Sequence, residues 1–406
     1  MKTIAVLGTL DTKGDEHGYV AEIIRSRGHR TLLIDVSSLA APQVHPDITR
    51  EEVAQAGGVD LTALRAKHDR GESVAAMADA AGVLLAQLVE SNRIDGVISL
   101  GGGGGTAIGT AAMRALPIGF PKVMVSTLAA GNVAPYVGTK DIVMIPSIVD
   151  VSGLNRLSRV LLARAAGAVC GMVETEVPEA VEKPLIVASM FGNTTAGVNA
   201  AKKVLEEAGY EVLVFAATGT GGRIMESLIE SGMVDGVLDF TTTEWADELV
   251  GGVLGAGPNR LEAAGKCSVP AIVVPGCLDM VNFGERSSVP EKFAGRTFYQ
   301  HNAQITLMRT SPEECEEIGQ IIAEKLNEYL GPVTVLLPLQ AISVISAPGG
   351  AFHDPVADKA LFDAIKKNLR SDIPVIEMDV AINDETFAQA CAEALLANIG
   401  NFAEAE

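Results

Sequence analysis

Aromatic residues are scarce in this chain of 406 residues: they make up 4% of it, with a single Trp. A core built without them must come from Val, Ile, Leu and Ala. The 48% hydrophobic content is of that kind, as in α/β proteins with buried parallel strands. Positive charge is also short, with 31 Lys and Arg against 51 Asp and Glu and a formal net charge of −20. Such a surface repels phosphate backbones and anionic membranes, so neither nucleic acid nor a membrane is an expected partner. An anionic ligand would need a local pocket that overcomes the global field. The five cysteines, Cys170, Cys267, Cys277, Cys315 and Cys391, form no CxxC pair, which excludes a zinc framework and reads as buried thiols in a reducing compartment. Long apolar runs are missing as well. "MKTIAVLG" has four apolar residues before its glycine, too few for a signal sequence, and "VTVLLPLQAISVISA" from Val333 is broken by Pro338 and Gln340. A cytoplasmic location is expected. No GxxxxGK[ST], HExxH, Ser-His-Asp order or paired-carboxylate pattern is present.

What is present is an alternation of short Val/Ile-rich runs with stretches of helical spacing, the pattern of βαβ units. "TIAVLG", "RTLLIDV", "DGVISL" and "KVMVST" read as strands, and the pattern restarts beyond "VPEAVEKP" with "LIVASM" and "YEVLVFAA". "LVESNRIDGVISLGGGG" from Leu88 lines up with "LIESGMVDGVLDFTTTE" from Leu228. The fold class that follows is α/β, two Rossmann-like parallel-sheet domains related by internal duplication, with a ligand cleft at the carboxyl ends of the strands. The expected domains are 1–178 and 179–406. The first half carries about 41 extra residues between its second and third strands, most of them in 37–72, too long for an ordinary connection and expected to be a flap or interface element. Residues 152–174 read as a helix whose Gly167 and Gly171 allow close packing, within the chain or across a dimer. The stretch after Gly276 reads as irregular and polar.

Five consecutive glycines, Gly101 to Gly105, followed by Thr106, end the third strand. Fixing each costs roughly 0.5–1 kcal/mol more than alanine would, so the run needs a reason. Two readings stand: tight packing of a helix on its strand, or main-chain amides held against an anion. Gly102-x-Gly104-x-x-Ala107 formally fits a dinucleotide fingerprint, but it follows the third strand, and Lys122 stands where an acid would hold the ribose. NAD is disfavoured and phosphate favoured.

The other strand ends share the composition of anion-holding loops. In "GTLDTKGD", Gly8, Thr9, Asp11, Thr12 and Lys13 are candidate cofactor contacts; Lys13 would neutralise phosphate oxygens, and Asp11 is the candidate magnesium ligand. Asp15 and Glu16 read as favourable charges in a helix's first turn, and His17 as an ordinary helix-surface residue. Thr127, Gly131 and Asn132 of "STLAAGN" join the cofactor set. In the second half, Gly192, Asn193, Thr194 and Thr195, then Thr218, Gly219 and Thr220, then Thr242 and Thr243, are candidate substrate contacts. Glu244 is either an acid/base group or the second member of a capping box begun by Thr241. Trp245 reads as core or cleft wall. Arg286, Lys292, Arg296 and His301 are a basic concentration, with Arg286 as a substrate contact and His301 titrating near neutrality. Asp354 and Asp358 in "PGGAFHDPVAD" read as turn and cap.

"GTLDTKGDE", "GGGGGT", "FGNTT", "DFTTTE", "PGCLDMVNFG", "GRTFYQHNAQITLMRT" and "PGGAFHDPVAD", in this order, resemble the ATP-binding domain family of the plant tobamovirus-resistance protein, an inhibitor of viral RNA replication, and its bacterial homologues. The resemblance spans essentially the whole chain. It implies two Rossmann-like subdomains, ATP with Mg2+ as ligand, and a homodimer. In plants the domain is fused to a TIM-barrel region, so a separate TIM-barrel protein is an expected partner here. The first expectation is an ATP/Mg-using enzyme acting on a small carboxylate or phosphorylated metabolite, with Lys13, Glu244 and His301 as catalytic candidates. A nucleotide-gated regulatory module is the second. A nucleotide-independent sugar-phosphate isomerase or epimerase, with Glu244 and His301 as its acid/base pair, is the third.

Overall fold

A computed structural model describes residues 1–178 and 182–405. The chain forms two compact units, 1–179 and 180–406.

In the first unit, β1 (Thr3–Gly8) leads into α1 (Leu10–Ser26) and β2 (Arg30–Asp35). Gly28 ends α1 at φ +89°, a backbone that glycine adopts without strain, and the chain turns directly into β2. The extra residues then supply α2 (Arg50–Ala56), α3 (Leu61–Ala66) and the start of α4 (Arg70–Glu90). β3 (Gly96–Gly101), α5 (Gly103–Arg114), β4 (Lys122–Ser126), α6 (Ala134–Val137), β5 (Val143–Pro146) and α7 (Arg156–Glu174) complete the unit. Every strand pair is parallel and the order is β2-β1-β3-β4-β5. β3 and β4 are buried along their whole length because helices cover both faces of the sheet. Alternate strand residues divide between the faces: Ala5, Leu7 and Val97 pack with Met77, Leu85 and Ile108 of α4 and α5. Ile4, Val6 and Ile98 pack with Val20, Ile24, Leu162 and Val169 of α1 and α7. α4 is the one helix among the described residues long and apolar enough to cross a membrane, and half of that window is buried inside the protein. A Cβ at Gly167 or Gly171 would meet nothing within 4 Å, so the close approach expected of them within the chain is not made.

In the second unit, β6 (Leu185–Met190), α8 (Thr195–Glu207), β7 (Glu211–Ala216), α9 (Thr220–Glu230), β8 (Gly236–Asp239), α10 (Glu244–Val250), α11 (Ala263–Lys266) and β9 (Ala271–Val273) come first. β10 (Met280–Phe283), β11 (Phe298–Asn302) and β12 (Ile305–Arg309) follow, then α12 (Pro312–Asn327), β13 (Val333–Pro338), α13 (Pro355–Asn368), β14 (Val375–Met378) and α14 (Glu385–Ala405). The main sheet is parallel in the order β7-β6-β8-β9-β13-β14, which repeats the first unit's order and adds one strand. The stretch after Gly276, expected to be irregular, instead forms a three-stranded antiparallel sheet, β10-β12-β11. Its pattern was masked because only β10 and β12 are largely buried, while most of β11 faces solvent.

The duplication is visible in individual hydrogen bonds. The Asp95 carboxylate accepts from the Thr3 N–H at 2.7 Å, and Asp235 accepts from the Leu185 N–H at 2.6 Å. Both are the Asp of the repeated "DGV", fastening the turn before the third strand of a unit to the start of its first. Gly28 and Gly209 end the equivalent helices α1 and α8 with positive φ. Asp95→Ala and Asp235→Ala should therefore each lower stability by a similar amount, about 1–3 kcal/mol, in urea denaturation. A loss confined to one of them would contradict the equivalence.

Candidate functional site

The first sheet reverses its order between β1 and β3, so the connections leaving these neighbours go to opposite faces and a crevice opens beyond their carboxyl ends. A cleft of about 450 Å³ lies there, within the range of small-molecule sites.

The glycine run divides into two sets. A Cβ at Gly101 would lie 2.8 Å from the Cα of Gly105, and one at Gly105 would lie 3.3 Å from the Leu100 carbonyl oxygen. Those two glycines let α5 close onto β3, although Gly105 also reaches the cleft. Gly102, Gly103 and Gly104 are different: Gly103 would meet nothing within 4 Å, and the others only ordinary contacts. All three line the cleft. No side chain caps α5, whose N-cap is Gly102. An uncapped helix start facing a cleft is a ready site for an anion.

Thr9, Asp11, Thr12 and Lys13 form the adjoining wall. The Lys13 ammonium donates to the Val151 carbonyl, and one Asp11 oxygen accepts from the Ala40 N–H at 3.2 Å. His17 braces this loop from below and is fully buried, which corrects its reading as a surface residue. Its Nδ1 lies 2.6 Å from the Lys13 carbonyl oxygen, which can only accept, so Nδ1 carries the proton. A Cβ at Gly8 would fall 1.9 Å from His17 Nε2. Gly8 is thus glycine to admit the imidazole and is itself buried, away from any ligand. Burial holds His17 below its ordinary value and therefore neutral. Glu16 is buried too, accepting from the Gly153 N–H at 2.6 Å, and does not act as a first-turn surface charge.

The opposite wall comes from the extra residues and was missing from the candidates: Ser37, Leu39, Leu64, Arg65 and Arg70, with Val74 and Ile108 behind them. Arg65 Nε donates to the Ser38 carbonyl at 2.7 Å, while its Nη2 makes no hydrogen bond but lies 3.6 Å from the Glu51 carboxylate as an ion pair. The signal was available as three arginines, Arg50, Arg65 and Arg70, within an insert of unexplained length in an acidic chain.

Other candidates in this unit lie outside the cleft. Thr106 is fully buried, its hydroxyl 2.6 Å from that of Ser126, and ties α5 to β4. Thr127 lines a separate cavity of about 480 Å³ beside Asp150 and Ile148. Ile148 is 72% exposed at φ +63°, a strained backbone for a β-branched residue. Gly131 and Asn132 are exposed on the loop beyond, with Asn132 accepting from the Ala134 N–H at 3.1 Å.

The equivalent crevice in the second unit is filled. Thr194, Thr242 and Thr243 are fully buried, and Thr194 bonds to Thr241 at 2.7 Å, so the structure leaves them no access to substrate. Gly219 is buried, whereas Gly192 and Thr220 are exposed. Asn193 donates to Met280 Sδ at 3.7 Å, Thr195 to the Gly192 carbonyl at 3.2 Å, and Thr218 to the Ala216 carbonyl at 3.4 Å. Glu244 is neither a free acid/base group nor part of a capping box. Its carboxylate accepts from the amides of Gly219 and Gly222 at 2.7 and 3.1 Å and from Arg260 Nε at 2.6 Å. Arg260, 1% exposed, also pairs with Asp239 and Glu226. The basic stretch does not converge: Arg296 pairs with Glu314 and Arg286 stacks on Phe298, while His301 is exposed on β11. Asp358 pairs with Arg309, and Asp354 caps α13.

Residues 2–178 match the N-terminal domain, and 183–399 the C-terminal domain, of a family described as "Uncharacterised protein family (UPF0261)". A UPF0261 protein of Clostridium tetani is 52% identical over 97% of this chain and 98% of its own length. The tomato "ToMV resistance protein Tm-1(GCR237)" and "ToMV susceptible protein tm-1(GCR26)" are each 37% identical over 96% of this chain, which spans 55% of their length. Among solved structures, a thioesterase domain from the curacin biosynthetic pathway aligns at 12% identity with a TM-score of 0.29, covering 53% of this chain and 92% of its own. A UDP-N-acetylglucosamine 2-epimerase from Rickettsia bellii aligns at 10% with 0.23, covering 100% and 97%. Likeness at that level bears on neither mechanism nor ligand.

Two outcomes follow from the buried pairs. With His17 neutral in the folded protein, the unfolded chain takes up a proton below the ordinary imidazole value of 6.5 that the folded chain refuses. Stability should thus fall as pH drops below that point, and His17→Leu should remove this part of the slope in denaturation across pH 5–8. Arg260→Ala strands three carboxylates and should cost about 3–5 kcal/mol of second-unit stability by the same measurement.

Proposed function

The chain belongs to the UPF0261 family, and from that premise we propose that it is a nucleotide-binding protein holding ATP with Mg2+ in the cleft of its first unit. The carrying observation is the uncapped, glycine-lined start of α5 facing Lys13, Arg65 and Arg70 across one cleft. A triphosphate laid along Gly102–Gly104 would meet main-chain amides, with the cations opposite neutralising its charge. The apolar side chains of Leu64, Val74 and Ile108 suit a nucleoside. Magnesium asks for hard oxygen ligands and keeps several of its waters. Asp11 offers one carboxylate oxygen, and among the described residues no group of three or more His, Cys, Asp or Glu could hold a metal. An ion here would therefore depend on the nucleotide's own oxygens.

The chemistry that suits such a cleft is ATP-dependent activation of a small carboxylate or a phosphorylated metabolite, where positioning and charge neutralisation supply most of the catalysis. Lys13 would steady the phosphates. The epimerase reading loses support, because Glu244 is sealed against Arg260 while His301 stands exposed on β11. A reducing compartment such as the cytoplasm suits five unpaired thiols, four of them buried.

Gly103→Val tests the binding reading. A Cβ there meets nothing within 4 Å, so the fold should hold to within about 1 kcal/mol while the isopropyl group enters the cleft. Calorimetry with ATP and magnesium should show binding by the parent chain and none by the variant. Equal affinity in both would refute the placement. ADP release in the presence of a panel of small acids would mark an enzyme; tight binding without turnover would mark a regulatory module.

A further inference from the structure

The two units treat one structural position in opposite ways. Asp95 and Asp235 make the same hydrogen bond in their respective units. Nine residues on from each stand Gly104 and Glu244. In the second unit a carboxylate at that position occupies the crevice, bound by two amides at the start of α9 and by a guanidinium. In the first unit the same position is bare. An ideal Cβ at Gly104 would point toward Arg70, whose Nη2 lies 3.9 Å from it. Arg70 opens α4, which joins the second and third strands of its unit as α9 does in the other. It makes no ion pair among the described residues, and it lines the cleft.

We propose that Gly104 and Arg70 form the anion-binding position of this protein, the open counterpart of the position that the Glu244 carboxylate closes against the start of α9 in the second unit. A phosphate of the ligand takes the place that the Glu244 carboxylate fills in the second unit. The second crevice is permanently occupied by its own side chain, so each chain binds one anionic ligand. The inference rests on the nucleotide reading for the rest of the ligand, but the anion position stands separately. A side chain at position 104 has room to enter, since the nearest neighbours of its Cβ, Val74 Cγ2 at 3.8 Å and Arg70 Nη2 at 3.9 Å, are at ordinary contact distance.

The test uses the full chain with two probes, ATP with magnesium and inorganic tripolyphosphate, in calorimetry. One site per chain is expected. Arg70→Ala should weaken both probes by about ten- to a hundredfold, the range for a charge-assisted contact, and Arg70→Lys should recover part of the loss. Gly104→Glu should copy the second unit: binding of both probes is lost, while the thermal midpoint stays at or above that of the parent. Adding Arg70→Ala to Gly104→Glu should then lower the midpoint, because the new carboxylate loses its partner. Tripolyphosphate binding without ATP binding would refute the nucleotide reading and leave the anion position intact. Absence of binding for both probes, two sites per chain, or binding unchanged by Arg70→Ala and Gly104→Glu would overturn the proposal.

Discussion

A parallel sheet whose strand order reverses between two neighbours sends their following connections to opposite faces. Nothing in the backbone then covers the carboxyl ends at the point of reversal. Both sheets of this protein have that reversal, between β1 and β3 and between β6 and β8. Each leaves exposed amides at the start of a helix beside a gap, and buried amides need acceptors. The rest of the molecule's chemistry is a response to that constraint.

The second unit answers with side chains. Glu244 accepts from Gly219 and Gly222, Arg260 neutralises Glu244, and Asp239 and Glu226 complete the shell around Arg260. Burying four ionised groups is costly unless their geometry satisfies them, and here every partner is within 3.1 Å. The threonines around them are fully buried and bonded to each other or to main chain. The first unit leaves its gap open. Its glycines present no side chain, its loop after β1 is held rigid by His17 beneath and Glu16 beyond, and its opposite wall is imported from residues that the second unit lacks. The first unit's helix-start glycines therefore face Arg65 and Arg70 across open space, where the second unit has a buried carboxylate.

The glycine run shows how one motif serves two ends. Gly101 and Gly105 satisfy packing, because larger residues there would strike the helix backbone or the strand. The three between them keep the cleft accessible. The packing reading of the run thus holds for Gly101 and Gly105, and the position of each Cβ separates them from the three glycines left open toward the cleft.

Sequence alone determined the architecture. Short apolar runs separated by helical spacing specify buried parallel strands, and the repeated "DGV" with its preceding helix specifies two copies. It also located the loops at the carboxyl ends of the strands, because strand ends are local features marked by glycine, Thr and Asn. Tertiary structure decided which of those loops is open. Thr242 and Glu244 have the composition of ligand contacts yet are sealed, since burial depends on neighbours distant in sequence such as Arg260. His17 has the spacing of a surface residue yet lies under Gly8, and Arg65 and Arg70 sit in an insert without a motif yet face the glycines. Periodicity along a chain reports which side of an element is apolar; it does not report which element lies opposite, and a binding site is made of what lies opposite.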